Sequence, residues 1–219
     1  MKIISMTLKW RRRIRDMQNK LIITLLICLC ISTGIQAHAT NNNYLKANVS
    51  QISSDFANKL IKDQISRIVL NGLGTNKLEV YDGQYFKINI NKLNYYILST
   101  TRIYHPEELT MCTVLLFDNT KRYINSVDIL GPKDSRPWTC DNTEAISFLD
   151  HYQDGSLKII ALYSVTPPSN ETFILPIVLK FNFHTPVLTI DNNLTNELRG
   201  KKIKTIGGAR SYLKSNSAK

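Results

Sequence analysis

The stretch at residues 145–183 most constrains the fold, because it alternates apolar, β-branched runs with strong turn signals. Three such runs follow one another there, at residues 145–149, 157–165 and 172–183. Asp154-Gly155 favours a tight hairpin between the first two runs, since glycine adopts positive φ without a side-chain clash. Pro167-Pro168 must lie outside the sheet, because proline cannot donate a hydrogen bond to a strand ladder. The pattern predicts a three-stranded antiparallel meander at the centre of the fold.

Further extended segments precede the meander, and they are rich in tyrosine, isoleucine, valine and phenylalanine. They are predicted at residues 77–81, 85–90, 95–104, 111–118 and 123–130. Asp82-Gly83 is the predicted turn between the first two of them. Residues 131–142 predict a long loop, and residues 185–190 predict a short edge strand after the meander.

Helices flank these strands in the prediction. Residues 51–70 place isoleucine, leucine and phenylalanine at helical spacing on one face, with the charged residues mainly on the other. Residues 192–199 and 203–213 predict two C-terminal helices, the second weakened by Gly207-Gly208. The predicted fold class is therefore α+β: an antiparallel meander sheet, strongly twisted or open-barrel-like, with an N-terminal helix and C-terminal helices.

The first 39 residues have the features of a cleaved secretory signal peptide. The apolar run at residues 21–31 is too short to span a bilayer core of about 30 Å comfortably. It leads to a small-x-small signature that ends at Ala39, which predicts cleavage there and a periplasmic or secreted product. The alternative is an uncleaved N-terminal anchor. Translation starts at Met1 or, for a leader of more ordinary length, at Met17.

The net charge is distributed unevenly. The whole chain carries +11, but the leader has seven basic residues and one acidic residue, which leaves 21 basic and 16 acidic residues after it. Residues 199–219 hold seven of those basic residues and no acidic one. We therefore expect residues 40–219 to form a single near-neutral domain with a basic tail, and nucleic acid is not an expected partner.

The basic tail at residues 199–219 has two interpretations. It is either a solvated helix or a contact for an anionic surface such as membrane lipid or cell-wall polymer. The candidate contacts are four basic residues: Lys201, Lys202, Lys204 and Arg210.

Two cysteines remain after the predicted cleavage, Cys112 and Cys140. In an oxidising compartment such an even pair indicates one structural disulfide bond. Closing a loop of this length stabilises the folded chain by about 3.5 kcal/mol on the chain-entropy model. Two free thiols are the alternative, and a redox pair normally has the closer Cys-x-x-Cys spacing.

The sequence contains no recognisable motif for catalysis or cofactor binding. It has no Gly-x-Ser-x-Gly elbow, His-Glu-x-x-His zinc helix, phosphate loop or dinucleotide glycine fingerprint. His105, His151 and His184 each lie in or beside a predicted turn, where a surface histidine is the commoner role. We therefore expect no catalytic residue, no metal and no cofactor, and an enzyme is the less favoured class.

The loop before Cys140 is the best candidate for binding. It contains Asp134, Arg136 and Trp138, and tryptophan and arginine are enriched where proteins bind one another. A bridge from Cys140 to Cys112 would hold one end of this loop and so reduce the ordering cost of binding. The alternative is that Trp138 folds back and fills one end of the core.

Size, compartment, bridge and motif content together favour a small, non-enzymatic envelope protein that binds another protein. An inhibitor or immunity protein against a cell-wall hydrolase or a toxin fits these features. Two alternatives stay open. One is an envelope glycan- or peptide-acting hydrolase with a site assembled from scattered residues. The other is an accessory subunit of a secretion or surface complex, docked through the basic tail.

Overall fold

Nine strands and three helices make up the part of the chain that the structure describes. The structure is a computed structural model and describes residues 47–68, 78–104, 109–129, 138–149, 156–169 and 171–216. All of them belong to one compact unit, Tyr44–Lys219. The predicted signal peptide at residues 1–39 lies outside the described residues.

The strands form two antiparallel sheets, each ordered as in the chain. The first sheet contains β1 (Asn48–Gln51), β2 (Leu78–Ile90), β3 (Leu93–Tyr104), β4 (Leu109–Phe117) and β5 (Tyr123–Asp128). The second sheet contains β6 (Thr139–Leu149), β7 (Ser156–Thr166), β8 (Phe173–Asn182) and β9 (Val187–Ile190). The helices are α1 (Ser54–Ile68), α2 (Asn192–Gly200) and α3 (Ile206–Asn216).

The two sheets pack face to face around the largest hydrophobic core. Successive side chains of a strand point to opposite faces, so every second residue faces this core. Ile97 and Val114 of the first sheet meet Ile159 and Ile177 of the second, and all four are at most 1% exposed. The core between the sheets is therefore built from every second residue of the strands that face each other.

Helices cover the outer faces of both sheets. The helix α1 packs Ala57 and Leu60 against Leu98 and other residues of the first sheet. The helices α2 and α3 pack Leu198 and Leu213, among others, against the second sheet. The chain thus forms four layers in the order helix, sheet, sheet, helices, and β7 is buried on both faces along almost its whole length.

Covalent and polar links join the sheets across the core. Cys112 of β4 and Cys140 of β6 are at disulfide distance, with their Cα atoms 5.5 Å apart. At a second point, Asn125 of β5 bonds the backbone of Leu188 in β9 twice. Its Nδ2 donates to the Leu188 carbonyl at 2.8 Å, and its Oδ1 accepts from the Leu188 N–H at 3.1 Å. The side-chain amide of Asn125 thereby takes the place of a strand pairing between β5 and β9.

These observations confirm the predicted fold class, with its antiparallel meanders, N-terminal helix, C-terminal helices and paired cysteines. The strands are divided between two stacked sheets, and the described strands do not close into a barrel. The bridged pair is compatible with an oxidising, secreted compartment. Among the described residues, no helix has the length and apolarity needed to cross a bilayer.

The turn predicted at Asp82-Gly83 is wrong. Strand β2 continues through both residues, and its register with β3 shifts between Val80 and Tyr85. A bulge of this kind absorbs extra residues in one strand without reversing the chain, and glycine is common at such sites. The other hairpin glycine, in Asp154-Gly155, lies outside the described residues.

Two further boundaries differ from the prediction. Strand β6 begins at Thr139, inside the predicted loop, and its register with β7 shifts twice before Ala145. These shifts explain why the segment shows no regular alternation in its sequence. Strand β1 lies just before the predicted helix, in a segment for which no strand was predicted. It is short, polar and mostly exposed, so it pairs with β2 through its backbone without an apolar pattern.

Candidate functional site

A cleft of about 310 Å³ lies at one end of the second sheet. Its volume is at the lower limit of typical ligand-binding clefts. The lining residues combine an apolar floor with a basic rim. The floor consists of Trp138, Phe173, Ile174, Leu175, Pro176 and Ile203, and the rim of Arg199, Lys202 and Lys204.

Four consecutive residues of β8, Phe173 to Pro176, form most of the floor. Consecutive side chains of a strand point to opposite faces of its sheet. Phe173 and Leu175 belong to the core between the sheets, so Ile174 and Pro176 point to the face that α2 and α3 cover. The cleft therefore reaches both faces of the sheet at the start of β8.

Trp138 closes the floor on the side of the inter-sheet core. It directly precedes β6, and its ring meets that of Phe173 at 5.2 Å with an interplanar angle of 88°. It is half-buried and packs against the core between the sheets. The bridged Cys140 follows two residues later and fixes this part of the backbone. Trp138 thus packs against the core between the sheets and also lines the cleft.

The basic rim is positioned by the end of α2. The Lys202 N–H donates to the Arg199 carbonyl at 3.0 Å, and the Ile203 N–H donates to the Leu198 carbonyl at 3.3 Å. Lys202 adopts a left-handed conformation with φ 52°. This pair of bonds is the Schellman motif, and the apolar contact of Ile203 with the cluster around Leu198 completes it. The motif turns the chain so that Lys202, Ile203 and Lys204 face the start of β8.

The helix α2 is itself held on the second sheet by buried and partly buried polar bonds. Thr195 Oγ1 accepts from the Val178 N–H at 2.9 Å, and Asp191 caps the helix by accepting from the Leu194 N–H at 3.1 Å. Lys158 Nζ of β7 donates to Asp191 Oδ2 at 2.7 Å. The Lys158 side chain is 6% exposed and that of Asp191 is 17% exposed. The pair ties the start of α2 to β7 in the second sheet.

Burial alone would raise the pKa of Asp191. The hydrogen bonds from Lys158 and Leu194 and the positive charges of Lys158 and Lys180 outweigh that effect, so the pKa lies below its ordinary value of 3.8. Asp191 is therefore a carboxylate at neutral pH and retains its bond to Lys158.

A second carboxyl with a lowered pKa lies away from the cleft, in the turn between β4 and β5. Burial would raise the pKa of Asp118, but hydrogen bonds from Thr120 and Arg122 bring it below 3.8. Burial, and then the charge of Asp118, raises the pKa of Tyr95. The hydrogen bonds of Asp118 stabilise the turn, and neither Asp118 nor Tyr95 lines the cleft.

The other predicted site residues have different positions. Asp134 and Arg136 lie outside the described residues. Lys201 is exposed at the end of α2 but does not line the cleft. Arg210 projects from α3 toward β6, where its Nη1 donates to Ser147 Oγ at 3.1 Å. The structure therefore brings Trp138 together with Lys202 and Lys204, although both lysines lie more than sixty residues after Trp138 in the sequence.

Sequence reasoning did not identify the β8 residues or Arg199 as part of a site. One signal was present, because Pro176 lies within a predicted strand and proline in a strand indicates an open edge. Within the described part of the chain, no group of three or more His, Cys, Asp and Glu residues is arranged to hold a metal ion. No family model matches the chain, and no curated protein or solved structure matches it significantly.

Proposed function

We propose that this chain is an exported, non-enzymatic binding protein that holds a partner protein of the cell envelope in the cleft at β8. One observation carries the proposal: a half-buried tryptophan and an arginine converge with apolar side chains on one concave surface. Tryptophan and arginine are the side chains most enriched where binding energy concentrates. The N-terminal leader and the bridged cysteines support export.

The two parts of the cleft contribute differently to binding. Each 100 Å² of apolar floor that a partner covers contributes about 2.5 kcal/mol before the cost of ordering the partner is subtracted. The rim charges of Arg199, Lys202 and Lys204 contribute mainly to association rate and partner choice. An inhibitor or immunity protein that blocks an envelope hydrolase or toxin is the specific form that we propose.

Site-specific photocrosslinking in the native envelope tests this proposal. A photoreactive residue at position 204 lies on the rim, whereas one at position 119 lies in the exposed turn that follows β4. That turn is at the opposite end of β4 from Cys112, so position 119 is a matched control away from the cleft. We expect one partner, identified by mass spectrometry, to be crosslinked from position 204 and not from position 119.

The same partner, purified, provides the quantitative test. Trp138→Ala is expected to weaken its binding at least about thirtyfold, which corresponds to 2 kcal/mol, and Trp138→Phe is expected to retain most of it. Unfolding midpoints of both variants control for loss of the fold. Crosslinking from neither position, together with hydrolysis of purified cell-wall polymer by the protein alone, would instead support the hydrolase alternative.

A further inference from the structure

Within the described part of the chain, the edge of β8 that lines the cleft is open. Strand β9 pairs with residues Leu179 to Asn182 only, at the far half of β8. Strand β7 pairs with β8 along its opposite side, from Phe173 to Asn182. Across the described residues, no strand pairs with the first half of β8 on the side away from β7.

The hydrogen-bonding direction of this edge follows from Val178. Its N–H donates to Thr195 Oγ1 at 2.9 Å, and its carbonyl accepts from the Asp191 N–H at 2.8 Å, so both groups point away from β7. In an antiparallel pair, backbone groups of successive residues point alternately to the two sides of the strand. The pairing of β7 with β8 has no register shift, so Ile174 and Pro176 point to the same open side as Val178.

Pro176 supports this assignment independently. It pairs opposite Leu162 in the interior of the sheet, although it has no N–H to donate. Proline is accepted at such a position only where the missing N–H faces away from the neighbouring strand. The open edge therefore offers one donor, the Ile174 N–H, and two acceptors, the carbonyl oxygens of Ile174 and Pro176.

We propose that the partner enters the cleft as an added β-strand that pairs with β8 at Ile174 and Pro176. This inference rests on the proposed function and specifies the chemistry of the partner segment. A polypeptide backbone supplies N–H and C=O groups that can hydrogen-bond to the donor and the acceptors of this edge. An acyl chain of a lipid satisfies none of them, so an extended protein segment is the occupant that the edge favours.

The two faces of the added strand meet different surroundings. On one face its side chains meet Trp138, Phe173 and Leu175, which are apolar. On the other face they lie beside the end of α2, where Arg199, Lys202 and Lys204 carry positive charge. Because side chains alternate along a strand, the matching segment alternates apolar with acidic residues.

A pair of synthetic peptides tests the alternation. One is a short peptide that alternates valine with glutamate, and the other has the same residues in block order, all valines before all glutamates. We expect the full-length protein to bind the alternating peptide at least about tenfold more tightly than the block peptide. On binding, amide hydrogen exchange at Ile174 is expected to slow, because its N–H becomes hydrogen-bonded to the peptide.

Charge variants of the protein test the rim with matched changes. Lys204→Glu is expected to weaken binding of the alternating peptide about fivefold or more, since it replaces an attraction with a repulsion. Lys201→Glu makes the same change of net charge three residues earlier, outside the cleft, and is expected to change affinity less than twofold.

Proline substitution tests the backbone pairing. Ile174→Pro removes the outward-facing donor, replaces one apolar side chain of the floor with another and leaves the ladder to β7 intact, so it is expected to weaken binding of the alternating peptide about tenfold. Ile174→Val retains the N–H and is expected to bind normally. If the proline variant fails to fold, exchange at the Ile174 amide of the native protein decides the question.

The possible outcomes separate this inference from the proposed function. Equal binding of the two peptides with unchanged exchange at Ile174 would overturn the added strand, while crosslinking from position 204 would still support the binding function. An Ile174 amide that is already protected in the free protein would show that another segment of the chain covers the edge, which overturns the inference. Binding of anionic vesicles in place of both peptides would overturn it in favour of a lipid surface.

Discussion

The buried pair of Lys158 and Asp191 gives the sharpest test of how α2, and with it the basic rim, is held in place. Asparagine caps helices as well as aspartate does, so Asp191→Asn removes the negative charge and retains the bond from Leu194. The Lys158 side chain is only 6% exposed, and in this variant its ammonium no longer faces the negative charge of Asp191. We expect a loss of about 3 kcal/mol in the free energy of unfolding, the low end of the range for breaking a buried ion pair.

The partner substitution is expected to behave differently. Lys158→Met removes the ammonium but leaves Asp191 17% exposed and still bonded to Leu194, so its cost is expected to stay below about 1 kcal/mol. In the Lys158→Met background, Asp191→Asn is expected to cost less than about 0.5 kcal/mol. The double-mutant cycle therefore predicts a coupling energy of about 2–3 kcal/mol.

Urea unfolding of the four proteins, followed by circular dichroism at neutral pH, measures this coupling if the unfolding slopes agree. Because the pKa of Asp191 is lowered in the fold, its stabilisation is fully present above the unfolded value of about 3.9 and is lost as the pH falls through the folded value. The native protein is thus expected to lose more stability below about pH 4 than Asp191→Asn does. Equal costs of Asp191→Asn in both backgrounds would refute the reasoning.

Three other substitutions follow from the same structure. Replacing both Cys112 and Cys140 with alanine is expected to lower the free energy of unfolding by about 3.5 kcal/mol, measured by urea titration. If a reductant leaves the free energy of unfolding of the native protein unchanged, that result contradicts a bridge. Asn125→Asp is expected to be more destabilising than Asn125→Ala in thermal unfolding, since a carboxylate repels the Leu188 carbonyl. Lys202→Gly is expected to stabilise the protein by up to about 1 kcal/mol, because φ at this position is positive, and to weaken binding of the alternating valine–glutamate peptide. A loss of stability in this variant would contradict the Schellman assignment.

Local sequence patterns were sufficient for most of the elements but not for their layering. The apolar run in β7 and the helical stripe in α1 are each encoded within about a dozen residues, so they could be predicted. The division into two sheets depends on which strand pairs with which. After β5, the next strand could extend the first sheet or begin a second one, and no local sequence pattern distinguishes these two possibilities. In the structure a new sheet begins with β6, at Thr139.

The cleft was only partly predictable for a related reason. Trp138 was identified by its residue type and its place before Cys140, and Lys202 and Lys204 by the charge of the tail. Their convergence with β8 depends on how α2 packs on the second sheet and on the positive φ of Lys202. Lysine is uncommon at that conformation, so the sequence carried no signal for the turn that aims the rim.

Each sheet is built from one uninterrupted length of chain, the first entirely before the second. A polypeptide that leaves the ribosome or a translocon in order can complete β1 to β5 while β6 to β9 are still to come. During that interval the second sheet cannot yet cover the apolar side of the first, and Cys112 cannot yet pair with Cys140. The stage between the arrival of the two halves is therefore the one at which the apolar face of the first sheet is most prone to aggregation.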